Sequence, residues 1–252
     1  MKIRLGYACI TNCLDSTSSS PYTYGEYLKY GDMEKLDRVI VSNLKSLEEI
    51  IYYNIKNNIH FYRMSSKIIP LATKSDVKFD YINKYKSYYD KIGKMISDYD
   101  MRVDFHPDQF CVLNSVKSDV VSASIDILKY HYSLLEALGI KNKILVLHVG
   151  SNSFGKDNSI RRFINNFNKL PNYLKKCIAI ENDDKVFSVS DVLEISKNTG
   201  VPVILDYHHH LCNKSDFSFE DIFNSFNNRK FKMHFSSSKN KKDFRSHNDY
   251  IN

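Results

Sequence analysis

The sequence predicts an α/β fold of the TIM (β/α)8-barrel type, and three observations lead there. Short apolar runs end one after another in metal-binding residue types, in the order His106, His148, Glu181, Asp206, His234. Amphipathic segments with helical spacing separate these runs, the alternation expected of parallel strands joined by helices. A length of 252 residues matches the roughly 250 that one such barrel occupies. Chemistry in this fold class sits at the C-terminal ends of the strands, where those five residues fall.

Taken in order, the first strand is expected over Ile3 to Ala8, followed by a polar loop, Asp15-Ser-Thr-Ser-Ser-Ser-Pro21. A long helix follows, because Leu36, Ile40, Leu44, Leu47, Ile51 and Ile55 recur on one face. Strand two is placed near Ile59 to Tyr62, and a Tyr/Lys-rich helix near Tyr81 to Tyr99. The run from Arg102 to Phe105 is strand three and leads to His106. A helix near Val116 to Leu138 is closed by Gly139, a residue suited to the left-handed C-cap. Strand four ends at His148, strand five at Glu181 and strand six at Asp206, with helices near Asn158 to Asn168 and Val189 to Asn198 between them. Strand seven lies near Phe231 to Phe235. The residues beyond it are polar and basic, and none reads as an eighth strand, so the barrel is expected to lack it.

No linker, repeat or composition shift divides the chain, which predicts a single domain over 1–252. No apolar stretch approaches the roughly 18 residues of a membrane span, which argues against a membrane partner. Five cysteines without a CxxC pair suggest reduced thiols and a cytoplasmic protein. A formal charge of +7 suits a polyanion, although a Lys-rich composition produces it by itself.

Any one of the five strand-end residues could be a polar terminus or a cap. His, Asp and Glu fill about 15% of positions, so five in succession by chance is on the order of one in ten thousand. Imidazoles and carboxylates converging from several strands describe a site for more than one divalent ion, Mn²⁺ first, with Zn²⁺ or Mg²⁺ as alternatives. His60 and His131 read as structural. If 208–210 is extended, His208 and His210 point one way and His209 the other, so the three are not all ligands. The three-residue spacing from Asp206 selects His209.

Several longer segments sharpen this reading. Phe105-His106-Pro-Asp-Gln109-Phe110, Leu147-His148-Val-Gly, Ile180-Glu181-Asn-Asp-Asp and Asp206-Tyr-His-His209 resemble the UV damage endonuclease family. Lys232-Met-His234-Phe-Ser-Ser, Arg245-Ser-His247, Leu5-Gly6-Tyr7 and the stretch from Tyr62 to Ala72 are similar to it too, collinear from residue 3 onward. The resemblance implies a metal-dependent TIM barrel that cuts DNA 5′ of photolesions and other distorting damage and leaves a 3′-hydroxyl. It implies that His106, His148 and Glu181 hold one metal, and that Glu181 bridges to a second shared with Asp206 and His234. His209 and His247 would bind a third with Lys232, whose family counterpart can be carboxylated; a salt bridge to Asp or Glu is the other reading of Lys232. Glu181, His234 and Lys232 would then be the catalytic set.

On damaged double-stranded DNA, Gln109 and Phe110 match the pair that the family inserts into the duplex, the alternative being a Phe that caps the core. Tyr7 matches a lesion-pocket tyrosine, with a core tyrosine as the alternative. A family Asn falls on Thr11 or, with one insertion, on Asn12. Arg63, Lys67 and Lys74 could meet phosphates, although close relatives often have His at Lys74. The family resemblance also implies a monomer.

The family's eighth strand carries a further Glu that completes the second metal. Without it, a C-terminally truncated chain would have unpaired edges at strands one and seven, lower stability and reduced or lost cleavage. Two other readings follow: a form that binds lesions without cutting, and a metal-dependent sugar isomerase or epimerase on the same barrel.

Overall fold

The computed structural model describes residues 3–248, 250 and 251. Helices and parallel strands alternate as expected, and among the described residues there are seven strands, ordered β1 to β7 as they occur in the chain. The chain divides into two compact units, Met1–Asp108 with Lys129–Leu145, and Gln109–Leu128 with Val146–Asn252.

In the first unit β1 (Gly6–Ala8) is shorter than expected. Ile3 and Leu5 are 73% and 80% exposed, so the apolar alternation that suggested a longer strand has no core to face. α1 (Tyr24–Tyr30) was not foreseen; it opens with a capping box in which the Thr23 and Glu26 side chains each bond the other's backbone amide. α2 (Met33–Lys56) is the long amphipathic helix, capped by Asp32, with Leu36, Ile40, Leu44, Leu47 and Ile51 buried as predicted. β2 (Phe61–Met64) starts two residues later than its predicted position. The Tyr/Lys-rich helix breaks at Tyr85 into α3 (Tyr81–Lys84) and α4 (Lys86–Asp98), and α4 packs on α2.

β3 (Arg102–Phe105) pairs with β2 in parallel from Phe61↔Arg102 to Met64↔Phe105. α5 (Ser118–Ala137) crosses the division between the units and ends before Gly139, whose φ of 66° is the left-handed cap predicted there. His131 is buried and meets Phe105 edge-on at 4.9 Å, while His60 stacks on Tyr99 at 4.5 Å, as structural histidines do. β4 (Leu145–His148) also crosses the division, with Leu145 paired to Phe105 in the first unit.

The second unit holds α6 (Lys156–Lys169), α7 (Asn172–Lys175) and β5 (Ile178–Glu181), then α8 (Val189–Thr199) and β6 (Val203–Asp206). All four residues of β5 and of β6 are buried, the pattern of parallel strands covered on both faces. α8 packs against α6 and β6. Asp206 then caps α9 (Tyr207–Cys212), its carboxylate accepting from the His209 amide at 2.9 Å. The histidine run is therefore helical rather than extended: His208 and His209 are both buried and His210 is partly exposed. α10 (Phe219–Ser225) precedes β7 (Met233–His234), which pairs with β6 at Leu205↔Met233 and Asp206↔His234. No eighth strand occurs among the described residues; past β7 there is one isolated antiparallel bridge, Ser238↔His247.

Candidate metal centre

The ends of β5, β6 and β7 bring carboxylates and imidazoles together inside the second unit. Glu181 and Asp206 are 2% and 3% exposed. Two groups converge there, Glu181 with Asp206 and His234, and Asp206 with His209 and His247, in each of which the ligand atoms lie within 4.8 Å of one another. Asp206 belongs to both groups. His234 Nδ1 is 2.9 Å from Glu181 Oε1, and His209 Nδ1 lies 3.7 Å from the same oxygen and 3.8 Å from Asp206 Oδ2.

Hydrogen bonds to the outer nitrogen orient these rings. His209 Nδ1 is 2.9 Å from the Asn182 carbonyl, which only accepts, so Nδ1 carries the proton and Nε2 the lone pair. That Nε2 faces His247 Nε2 at 3.1 Å, and His247 Nδ1 is held by Ser236 Oγ at 2.5 Å. A metal-binding imidazole is commonly fixed in this way, by a bond from its other nitrogen. Buried carboxylates and imidazoles presenting lone pairs to one small volume fit divalent ions. Burial and the neighbouring Glu181 charge push the Asp206 carboxyl up to about 7, while His209 pulls it down.

Asn182 locks this geometry, and sequence reasoning missed it. Its Nδ2 donates to the Asp206 carbonyl at 3.0 Å and its Oδ1 accepts from the Asp206 amide at 2.9 Å, so one amide joins the ends of β5 and β6. The signal available was an Asn directly after a strand-end Glu. Asp183 next to it accepts from the Lys185 and Val186 amides and shapes the following loop.

His148 ends β4, its ring 5.6 Å from that of His209. Lys232 is buried at 7% exposure just before β7. After His148 the chain turns at Gly150, with φ of 112°. A Cβ there would lie 2.6 Å from Asn114 Oδ1 and 2.8 Å from Val112 Cγ1. Asn114 clamps the next residue as Asn182 clamps Asp206: its Nδ2 donates to the Ser151 carbonyl at 2.7 Å and its Oδ1 accepts from the Ser151 amide at 2.8 Å. Gln109 and Phe110 head the segment that Asn114 ends, and Phe110 is 69% exposed, so it does not cap the core.

In the first unit His106 follows β3. Its Nδ1 donates to the Pro107 carbonyl at 2.9 Å, which leaves the lone pair on Nε2, and its own carbonyl accepts from Ser66 Oγ at 2.7 Å. Tyr7 is half-buried, its hydroxyl donating to Asn54 Oδ1 at 2.8 Å, and burial raises its pKa. Thr11 bonds the Tyr7 side chain, while Asn12 is exposed beside it. Arg63 lies on β2, half-buried, and Lys67 is exposed. The Lys74 ammonium sits over the Tyr24 ring, 4.8 Å from its centre. Across the described residues no helix is long and apolar enough to cross a membrane, and no disulfide joins any of the five cysteines.

Comparison with known proteins bears on the fold and the family. A solved structure described as "Crystal Structure of SacUVDE" superposes with a TM-score of 0.91 at 37% identity, covering 100% of this chain and 86% of that one. A D-psicose 3-epimerase (TM-score 0.52, 13% identity, 79% of this chain and 83% of that one) shares the fold alone. So does a "xylose isomerase-like TIM barrel/4-hydroxyphenylpyruvate dioxygenase fusion protein" (TM-score 0.50, 12% identity, 76% and 29%). The architecture is thus the TIM-barrel type. UV DNA damage endonucleases of Bacillus cereus (strain B4264) and Bacillus anthracis are each 36% identical over 100% of this chain and 83% of their own length. The family described as "UV-endonuclease UvdE" matches residues 3–252, and the chain belongs to that family of nucleases.

Proposed function

We propose that this protein is a metal-dependent DNA repair endonuclease that incises the backbone 5′ of UV photoproducts and other distorting lesions, leaving a 3′-hydroxyl. The observation that carries the reading is the buried pair Glu181 and Asp206, faced by His209, His234 and His247. Two carboxylates stay in so dry a place at high cost unless cations share it. His106, His148 and Glu181 form one ligand set, Glu181 and Asp206 with His234 a second, and His209 and His247 with Lys232 a third. Bound divalent ions, Mn²⁺ before Zn²⁺ or Mg²⁺, supply an activated water and neutralise charge on the scissile phosphate.

The chain's own residues do the rest. Glu181, His234 and Lys232 act at the reacting phosphate, with Lys232 in a carboxylated, acidic form. Phe110 enters the stack at the lesion and Gln109 bonds the exposed base edges, while Tyr7 and Asn12 line the lesion pocket. Arg63, Lys67 and Lys74 hold phosphates, Lys74 steadied by its seat on Tyr24. The enzyme works as a cytoplasmic, DNA-associated monomer on damaged double-stranded DNA. The likeness to sugar epimerases stops at the fold and lends no support to a sugar substrate.

The test is a nicking assay on UV-irradiated duplex with Mn²⁺, comparing the protein with His106→Ala and Glu181→Ala. Lesion-dependent cuts on the 5′ side are expected from the unaltered chain and from neither variant. Tight lesion binding without cutting would instead establish a binding-only protein, and full cutting by both variants would refute the metal mechanism.

A further inference from the structure

We propose that His208 is a positioning residue: it docks the C-terminal segment so that His247 reaches its place beside Asp206 and His209. The inference rests on His247 acting as a metal ligand, as proposed above. His208 is 1% exposed on α9, directly before His209. Its Nε2 lies 3.2 Å from the Arg245 carbonyl. A carbonyl only accepts, so Nε2 carries the proton and this nitrogen is committed to anchoring the backbone rather than to a metal.

The anchored carbonyl is two residues from His247, whose ring lies 4.9 Å from that of His208. The Phe244 ring also lies near His208, 6.0 Å between centroids. The stretch from Lys239 to Arg245 is exposed, as is His247, so burial does not fix where this ligand sits. Its local geometry comes from a tight antiparallel pairing: the Lys239 amide donates to the Ser246 carbonyl and the Asn248 amide to the Ser237 carbonyl, both at 2.8 Å. That pairing shapes the segment internally. His208, with a longer ion pair of 3.8 Å between Arg245 Nε and Asp184 Oδ2, ties it to the buried body of the unit. One helix turn thus does two jobs, ligation by His209 and anchoring of the next ligand by His208.

The experiment uses Mn²⁺ alone as the probe. Metal per chain is counted by mass spectrometry after dialysis, and tryptic cleavage after Arg245 is timed with and without Mn²⁺. His208→Phe keeps the ring and loses the donor, while His208→Gln keeps an N–H near the position of Nε2. His208→Phe is expected to lose as much Mn²⁺ as His247→Ala and to be cut after Arg245 several-fold faster even without metal. His208→Gln restores both properties towards those of the unaltered chain. Unchanged cleavage elsewhere in the chain, at Arg161 for instance, shows that the variants are folded. The proposal is overturned if His208→Phe keeps its full metal count, or if His208→Gln behaves like His208→Phe. Should His247→Ala bind as much Mn²⁺ as the unaltered chain, the ligand role of His247 fails, and cleavage after Arg245 in metal-free protein still decides whether His208 docks the segment.

Discussion

Asp206 shows how one carboxyl carries opposing demands. An unfolded Asp titrates near about 4, whereas burial and Glu181 hold this one up to about 7. Between those values the folded state binds more protons than the unfolded one, so the metal-free protein loses stability as pH rises through that window. Metal binding needs the carboxylate and expels the proton, so Mn²⁺ affinity climbs over the same window. Thermal melts at pH 5 and pH 8 should therefore show a larger Mn²⁺-induced rise in Tm at pH 8; equal rises at both would contradict this account. Phe110 makes a second residue-scale case. At 69% exposure it contributes little to the core, so Phe110→Ser should leave Tm within about 1 °C while weakening preference for UV-damaged over intact duplex. Competition binding checks the preference, and a lower Tm with unchanged preference would return Phe110 to a structural role.

Among the elements, those with the plainest physics were the ones legible in the sequence. β5 and β6 open on unbroken apolar triplets and are buried throughout, and the last three residues of β3 are buried although it carries Arg102 and Asp104, so the limits and end residues of all three were read correctly. α2 was legible because its buried stripe keeps one period over 24 residues. β1 was overread, since alternation at Ile3 and Leu5 says nothing about whether a core lies beneath. α1 and α10 were missed although both carry cap signals, Thr23 with Glu26 and Ser218 with Glu220. α9 could not be read by periodicity, because a Tyr and three His residues show no apolar face and its cap, Asp206, also ends a strand. His148, Glu181, Asp206 and His234 were legible as ligand types at strand ends, whereas His209 and His247 were reached through spacing and family resemblance. Asn182 and Asn114 were not legible, since the value of an amide clamp lies in which backbone it meets. The loop after β4 offers a direct test: Gly150→Ala must accept φ near 112° and a Cβ against Asn114. Strain of roughly 1–3 kcal/mol is expected there. In a chain of this size each kcal/mol lowers Tm by about 2–4 °C. A melt unchanged by the substitution would show that the loop relaxes freely.

For the molecule as a whole, a formal charge of +7 and a polyanionic substrate make binding sensitive to ionic strength. A plot of log affinity against log salt for undamaged duplex should be linear, and Arg63→Ala should reduce its slope by about one phosphate contact, or 0.9. An unaltered slope would remove Arg63 from the phosphate-contact set. The terminal strands have a different consequence. Among the described residues β1 is three residues long and β7 two, whereas β5 and β6, at four residues each, are fully buried. An edge so short gives an incoming strand from a neighbouring molecule few free amides and carbonyls to align on. Crowded solutions of the protein should accordingly resist fibrillar self-association through sheet extension, and any clustering at high concentration will run through exposed aromatic side chains such as Phe219, Phe223 and Phe235 instead.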